Sequence, residues 1–351
     1  MGQSYRASRG TGPTRNAMRA VRLDQFGPPE NLKVVECQAP VPGEDDVLIK
    51  VDYAGLIYGD AEARRGTYLT ETSVPWFPGR DVAGVVEKVG RNVRGIAPGM
   101  RVAALLLHGT GCAEYALAWT RGRTGATGKS VPPSDIVVIP DNVSSTQALV
   151  YLINYRLAYF LIQISARVRE GAAILIHGAA GGMGSMLIQL AHDHGCEIFA
   201  CHRTAEEGAF CQAIGATHLI DVSTTDYVAA VLQLTGGKGV HFSFNGVGGS
   251  TVNTDWKIVA PFGEILLYGY VAGKAALQVF EIARTVAVKT FSADDFFAVP
   301  EYVKGATDAL HRRFRDGPLL DVTKVFSLDD VAVAHRWLDE GRVIGKIALK
   351  P

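Results

Sequence analysis

The feature that most constrains the fold is a glycine-rich segment between a short apolar run and a helix-like segment. Glycines 178, 181 and 184 form a GxxGxxG pattern within residues 177–184. Small residues let the backbone approach a pyrophosphate closely, and the N–H groups and dipole of a helix N-terminus attract its charge. A glycine pattern alone also suits an ordinary structural turn. Its position between a strand and a helix favours a dinucleotide-binding turn.

Strand-like and helix-like segments alternate around this turn. The predicted strands are 173–177, 197–200, 218–221, 240–245 and 264–268, and the predicted helices are 183–194, 206–214 and 227–235. Alternation at this spacing is typical of a doubly wound parallel sheet, so we expect an α/β fold.

The sequence before residue 142 follows a different pattern. Short β-prone runs at 20–23, 47–51, 83–89 and 101–107 are separated by Gly and Pro, which predicts a compact β-barrel-like domain. Residues 1–17 are rich in Gly, Ser, Thr and Arg without an apolar period, and we expect a disordered tail there. A helix at 327–341 and a strand at 345–349 end the chain.

Composition excludes several classes of protein. The 351 residues include 35 Lys plus Arg and 35 Asp plus Glu, so the formal net charge is zero. A protein that coats nucleic acid would carry an excess of Lys and Arg, so this charge balance argues against that class. No window reaches about 18 consecutive apolar residues, so no membrane span is expected. The five cysteines are scattered without a CxxC pair, which is typical of reduced thiols in a cytoplasmic enzyme.

The end of the second predicted strand indicates which dinucleotide binds. NAD-binding proteins usually carry an Asp or Glu about 20 residues after the glycine turn, where it binds the ribose 2′-OH. Here His202 and Arg203 occupy that region, without a carboxylate beside them in 199–204. An arginine fork binds a 2′-phosphate through charge-assisted hydrogen bonds, so we expect NADPH. The alternative is an ordinary solvated arginine after a strand.

These motifs, together with PGRDVAGVVEKVG at 78–90 and GKIAL at 345–349, resemble the medium-chain dehydrogenase/reductase superfamily. The similarity is greatest to its zinc-independent quinone oxidoreductase branch, which includes zeta-crystallin-like proteins. The resemblance implies a Rossmann domain at 146–294 inserted in a GroES-like β-barrel catalytic domain at 18–145 and 295–351.

The resemblance also implies which residues contact the cofactor. They are Ala180, Gly181, Gly182 and Met183 for the pyrophosphate, His202 and Arg203 for the 2′-phosphate, Asn245, Gly246, Val247, Tyr268, Gly269 and Tyr270 around the adenosine and nicotinamide ribose, and Phe291, Ser292 and Ala293 over the nicotinamide.

Zinc is not expected. Zinc-dependent members of the superfamily place a Cys where this chain has Ile57 and a His where it has Arg80, and only Cys112 falls near their four-cysteine lobe. A zinc site needs three or four converging ligands, and those residues are missing. Without a Lewis acid, reduction of a conjugated electrophile is the natural chemistry.

Two phenols are candidate donors to the oxyanion that hydride transfer generates. Tyr68 matches the tyrosine that serves this purpose in related 2-enoyl thioester reductases, and Tyr58 lies nearby with Asp60 beside it. For each, the alternative is a packed aromatic ring with its hydroxyl at the surface.

The sequence thus predicts an NADPH-dependent reductase of a quinone or an α,β-unsaturated ketone. One alternative is a biosynthetic enoyl reductase or reductive cyclase on a polyketide-like substrate, because Ile57 replaces an Asn of the quinone oxidoreductases. Another is an NADPH-binding structural or RNA-binding protein. We also expect a homodimer joined through the edge of the parallel sheet, at the strand 240–245 or a neighbour.

Overall fold

The structure of the chain is a computed structural model that describes residues 17–68, 72–106, 109–124 and 130–351. Two compact units divide it: the first unit is Met1–Ile153 with Arg313–Pro351, and the second unit is Asn154–Arg312. The predicted tail at 1–17 lies outside the described residues, except for Ala17, which begins the first strand.

Seventeen strands and nine α-helices are assigned within the described residues. The first unit opens with β1 (Ala17–Leu23), β2 (Leu32–Gln38), β3 (Asp46–Leu56), α1 (Tyr58–Arg65), β4 (Asp81–Val89), β5 (Arg101–Leu105), β6 (Tyr115–Trp119), β7 (Arg123–Thr124), β8 (Ser130–Val131), β9 (Asp135–Val138) and α2 (Ser145–Leu152). The second unit contains α3 (Asn154–Tyr159), β10 (Ala173–Ile176), α4 (Gly182–Asp193), β11 (Glu197–His202), α5 (Ala205–Ala213), β12 (His218–Asp221), α6 (Tyr227–Leu234), β13 (Val240–Asn245), β14 (Val259–Leu267), β15 (Ala287–Thr290), α7 (Ala293–Phe297) and most of α8 (Pro300–Asp316). The chain ends in the first unit with β16 (Lys324–Ser327), α9 (Val331–Asp339) and β17 (Ile347–Lys350).

The second unit is built on a six-stranded parallel sheet in the order β12-β11-β10-β13-β14-β15. This is the doubly wound order, and the α/β expectation is confirmed. The order reverses between β10 and β13, so the turns that follow these two strands lie side by side. The His177 N–H donates to the Phe244 carbonyl at 3.0 Å at this point.

Of the two suggested positions for a dimer edge, strand 240–245 is wrong, because β13 lies inside the sheet with β10 on one side and β14 on the other; the neighbouring strand along the chain, β12, does lie at an edge. The edges of this sheet are β12 and β15. The reversal of strand order explains the error, since it places the fourth strand of the unit beside the first.

The first unit contains a sheet in the order β16-β17-β3-β4-β5-β9, with β6 also paired to β3. The eleven-residue β3 pairs with β6 through Asp46–Lys50 and with β17 through Ala54–Leu56. The two halves of this long strand therefore pair with different strands, β6 and β17, as expected of a barrel-like arrangement. The pairing of β17 with β3 explains why the end of the chain returns to the first unit.

The limits of the two units differ from the predicted domain boundaries after residues 145 and 294. Helix α2 begins at Ser145 and packs against β3, β4 and β5, which keeps it in the first unit. Phe296 of α7 stacks on Phe160 with ring centroids 5.1 Å apart, which keeps α7 in the second unit.

One helical stretch, Ser145–Ser165, is long and apolar enough to cross a membrane by length and composition. In its most apolar window 72% is buried inside the protein, and a core helix of a soluble protein passes the same test.

Candidate active site

The glycine turn after β10 leaves the start of α4 open to a ligand. Gly178 has a φ of +59°, and a Cβ on Gly184 would lie 2.5 Å from the Ala179 carbonyl oxygen. Gly181 is the N-cap of α4, and within the described residues no side chain caps this helix. The first N–H groups of a helix have no intrahelical partner, so they are suited to bind phosphate. All four residues predicted for the pyrophosphate, Ala180 to Met183, lie here.

The end of β11 places His202 and Arg203 next to one another in different environments. The His202 ring is buried, its Nδ1 lies 3.0 Å from the Thr204 carbonyl oxygen, and Gly208 packs against it. The Arg203 side chain is 53% exposed, and its guanidinium donates to Glu207 Oε1 at 2.8 Å. Of these two residues, Arg203 is the one whose side chain is accessible to a ligand.

Glu207 is a neighbour that the sequence reasoning missed. Its carboxylate also accepts a hydrogen bond from the Arg203 backbone N–H at 2.7 Å, and its own N–H donates to Thr204 Oγ1 at 3.1 Å. The Thr-x-x-Glu spacing at 204–207 is the capping-box pattern and was the available signal. Glu207 therefore fixes Arg203 and also offsets part of its charge.

The turns after β13 and β14 contact each other closely. Asn245 Oδ1 accepts hydrogen bonds from the N–H groups of Val247 (3.1 Å) and Gly248 (2.9 Å). A Cβ on Gly246 would lie 2.4 Å from the Tyr268 ring, and one on Gly269 would lie 2.4 Å from the Gly246 carbonyl oxygen. The structure therefore brings together the predicted contacts Asn245 to Val247 and Tyr268 to Tyr270.

The predicted nicotinamide segment leads into an aromatic cluster of the second unit. Phe291 stacks on Phe296 with centroids 5.2 Å apart, and Ser292 and Ala293 begin α7. The guanidinium of Arg156 lies 5.5 Å from the Phe297 ring centroid, and burial lowers the pKa of Arg156 to about 10. Phe291 is therefore held in a packed aromatic environment.

In the first unit, the two candidate phenols each face an arginine. The Arg80 guanidinium carbon lies 4.2 Å from the Tyr68 ring centroid, within cation–π range. The Tyr58 hydroxyl accepts a hydrogen bond from Arg65 Nη1 at 3.3 Å. A Cβ on Gly59 would lie 3.0 Å from the Tyr68 ring, so the helix that carries Tyr58 also packs against Tyr68.

Two buried carboxylates accompany these phenols. Asp60 lies on α1, 3.9 Å from Arg80 Nε, and its Oδ2 accepts the Ile57 N–H at 3.0 Å. Asp81, at the start of β4, is fully buried and pairs with the buried ammonium of Lys346. In the part of the chain that the structure describes, neither Asp60 Oδ1 nor Asp81 Oδ1 has a hydrogen-bond partner.

Burial raises the pKa of Asp60 to about 6, and the nearby Arg80 opposes this rise. Burial thus favours the protonated form of Asp60 more than that of an exposed carboxyl. Lys346 was missed by the sequence reasoning, although a lysine inside the apolar closing strand GKIAL was a visible signal. A buried lysine usually requires an acid partner.

No group of three or more His, Cys, Asp and Glu side chains arranged to hold a metal occurs within residues 17–68, 72–106, 109–124 and 130–351. All five cysteines are buried and free of disulfides.

Two family models match the chain. "Alcohol dehydrogenase GroES-like domain" covers residues 43–140, and "Zinc-binding dehydrogenase" covers residues 182–308. The chain belongs to the quinone oxidoreductase-like family of the medium-chain dehydrogenases/reductases, and it is an oxidoreductase with a GroES-like domain and a Rossmann-type sheet.

Individual relatives agree with this assignment. Human quinone oxidoreductase is 30% identical over 253 residues, which are 72% of this chain and 73% of the relative. The solved Pseudomonas syringae quinone oxidoreductase superposes with a TM-score of 0.85 at 27% identity, over 95% of this chain and 100% of the other. Mycobacterial Rv1454c, solved in complex with NADPH, gives a TM-score of 0.83 at 26% identity, over 95% of this chain and 100% of the other.

Proposed function

We propose that this protein is an NADPH-dependent, zinc-independent reductase that transfers hydride to a conjugated carbonyl, either a quinone or an α,β-unsaturated ketone. The observation that carries the proposal is the glycine turn with the uncapped start of α4, beside a strand end that presents Arg203. This arrangement suits a pyrophosphate and a 2′-phosphate. The NADPH of the mycobacterial relative supports the same cofactor.

The residues present fit the cofactor. Ala180 to Met183 would bind the pyrophosphate, Arg203 with His202 the 2′-phosphate, and Asn245 to Val247 with Tyr268 to Tyr270 the riboses. Phe291 to Ala293 would lie at the nicotinamide. NADPH, when bound, supplies the hydride. The chain itself binds and orients the cofactor. It also stabilises the negative charge that hydride transfer creates on the substrate and supplies the proton.

Zinc independence rests on the side chains at the positions where zinc-dependent members carry ligands. Ile57 has no ligand atom, and Arg80 is a cation. Of the neighbouring acids, Asp81 pairs with Lys346 and Asp60 faces Arg80. This donor set does not fit a tetrahedral zinc site.

Tyr68 is the proposed donor to the oxyanion, with Tyr58 as the alternative. The guanidinium of Arg80 packs over the Tyr68 ring, which restrains the ring and puts a positive charge beside it. Tyr58 instead hydrogen-bonds to Arg65, which also contacts Glu62 and Asp339.

A biosynthetic enoyl reductase or reductive cyclase remains a second candidate, because Ile57 favours an apolar substrate more than the Asn of quinone oxidoreductases would. An NADPH-binding structural or RNA-binding protein is a third candidate, and the balanced charge of the chain speaks against RNA. The proposed partner is therefore a small-molecule substrate, and we propose no binding to nucleic acid or to a membrane.

We further propose a cytoplasmic homodimer. Five free cysteines suit a reducing compartment. The edge strand β15 of the parallel sheet is available for pairing with a second copy, and Val279 and Phe280 just before it are exposed. Analytical ultracentrifugation tests the dimer.

The proposed activity is tested in two steps. Tryptophan fluorescence titration should give tighter binding of NADPH than of NADH, and equal affinities would contradict the role of Arg203. Consumption of NADPH should then follow addition of quinones, enones or enoyl thioesters, and turnover confined to simple alcohols would overturn the zinc-independent mechanism.

A further inference from the structure

A buried carboxylate joins the turn that follows β10 to the end of β13. Asp255 begins a short 3₁₀ helix, Asp255–Lys257, and is fully buried. It accepts four hydrogen bonds, from His177 Nε2 (2.9 Å), the Tyr227 hydroxyl (2.8 Å), Ser243 Oγ (2.8 Å) and Asn245 Nδ2 (2.8 Å). The first two reach Oδ1 and the last two reach Oδ2, so both oxygens are satisfied.

Two of these donors adjoin the predicted cofactor contacts. His177 immediately precedes Gly178, the first residue of the glycine turn. Asn245 uses its other amide atom, Oδ1, to hold the N–H groups of Val247 and Gly248. Asp255 therefore links the two turns at the point where the strand order reverses, which is where doubly wound sheets bind their ligands.

The His177–Asp255 pair is charged over the physiological range. Burial lowers the pKa of His177, but the carboxylate of Asp255 outweighs burial and raises it to about 10, with a smaller contribution from Cys201. Burial likewise opposes ionisation of Asp255, whereas His177, Ser243 and Tyr227 hold its pKa below the usual range. Both members keep their charge near pH 7.

A buried ion pair is weak evidence for stability, because apolar residues of similar volume often stabilise a protein as well or better. A fully satisfied buried network, in contrast, rigidifies the groups that it joins. Turns that are already ordered lose less entropy when a ligand binds. The position of this network under two cofactor turns therefore favours a role in binding.

We propose that Asp255 is a positioning residue for the dinucleotide: through His177 and Asn245 it holds both cofactor turns in their binding conformation. This inference rests on the cofactor assignment proposed above. It requires that loss of Asp255 weaken NADPH and NADH alike, because both share the pyrophosphate and the riboses. It also requires that the two turns, rather than the whole sheet, become more mobile.

Asp255→Asn tests the proposal, because it keeps the size of the side chain and removes its charge. We expect the Kd of NADPH and that of NADH to rise about tenfold each, which is about 1.4 kcal/mol, with their ratio unchanged. Amide hydrogen exchange should accelerate at residues 177–184 and 245–249. In turnover assays the KM for NADPH should rise while kcat changes less than twofold.

Glu264→Gln is the matched control, because it removes a carboxylate that pairs with Lys289 (2.7 Å) in the same parallel sheet. It should leave both nucleotide affinities unchanged. If Asp255→Asn fails to fold, Ser243→Ala removes one donor to Asp255 and should raise both Kd values about threefold.

The proposal is overturned if Asp255→Asn, or Ser243→Ala in its place, lowers the melting temperature but leaves both affinities within 1.5-fold of the wild type. Wild-type protein that binds neither NADPH nor NADH would instead refute the proposed function, and with it this inference. Binding by the wild type is therefore measured first and separates the two failures.

Discussion

Two buried charged clusters, one in each unit, are organised in opposite ways. In the second unit, one acid, Asp255, has both oxygens satisfied by four donors. In the first unit, Asp60 and Asp81 each keep an oxygen that lacks a hydrogen-bond partner among the described residues. Fully satisfied networks give rigidity, whereas unsatisfied buried groups need an explanation such as a catalytic role. This difference supports the two proposals made above, positioning of the cofactor by the second unit and proton chemistry in the first.

The largest effect is expected for Lys346→Met, which leaves Asp81 buried without its cation. An uncompensated buried charge should lower the free energy of unfolding by about 3–5 kcal/mol. Urea denaturation at pH 7 measures it. The double variant Lys346→Met/Asp81→Leu should recover most of the loss, and a single variant within about 1 kcal/mol of the wild type would show that Asp81 is not held by Lys346 alone.

Asp60→Asn should change how stability depends on pH. The pKa of Asp60 rises from 3.8 to about 6 on folding, so the folded state keeps the proton longer than the unfolded state does. Stability therefore falls as pH rises from 3.8 through about 6, and the loss above that window is about 3 kcal/mol. The variant should lack this decline when its unfolding free energy is compared with that of the wild type between pH 4 and pH 7. Parallel curves would contradict the raised pKa.

Tyr68→Phe tests the assignment of proton chemistry to the first unit. If Tyr68 donates to the oxyanion, kcat should fall by about 10²-fold, the lower end for general acid catalysis. NADPH affinity should stay unchanged. Tyr58→Phe is the matched control, with a smaller expected loss, and the reverse order of effects would transfer the role to Tyr58.

The smallest effect is expected for Arg203→Ala in the second unit. Loss of charge-assisted hydrogen bonds to the 2′-phosphate should weaken NADPH binding by about 1.5–3 kcal/mol and leave NADH almost unaffected. Glu207→Gln, which removes the acid that Arg203 contacts, should strengthen NADPH binding in the same titration. If Arg203→Ala weakened the binding of NADPH and NADH equally, Arg203 would be maintaining the local structure at the end of β11 and not contacting the 2′-phosphate.

Local features were well predicted because they depend on neighbouring residues. Strand 218–221 occurs as β12 and strand 240–245 as β13, while the helix predicted at 183–194 is α4, Gly182–Asp193. The glycine turn precedes that helix as expected. The predicted cofactor contacts of the second unit fall at the last residues of β11 and β13, in the turns after β10, β11, β13 and β14, in the first turn of α4, and where α7 begins.

The sequence by itself determined the parallel-sheet architecture and the glycine turn, because both depend on residue type and short spacing. The expectation that Ile57 and Arg80 stand where relatives carry zinc ligands came from the family resemblance. Only the tertiary structure decided that β13 lies inside the sheet and which buried carboxylates have hydrogen-bond partners for both oxygens. His177 and Asp255 are 78 positions apart, and Asp81 and Lys346 are 265 apart. Such pairs form only when the chain folds back on itself, and no local pattern encodes which distant donor reaches which buried acid.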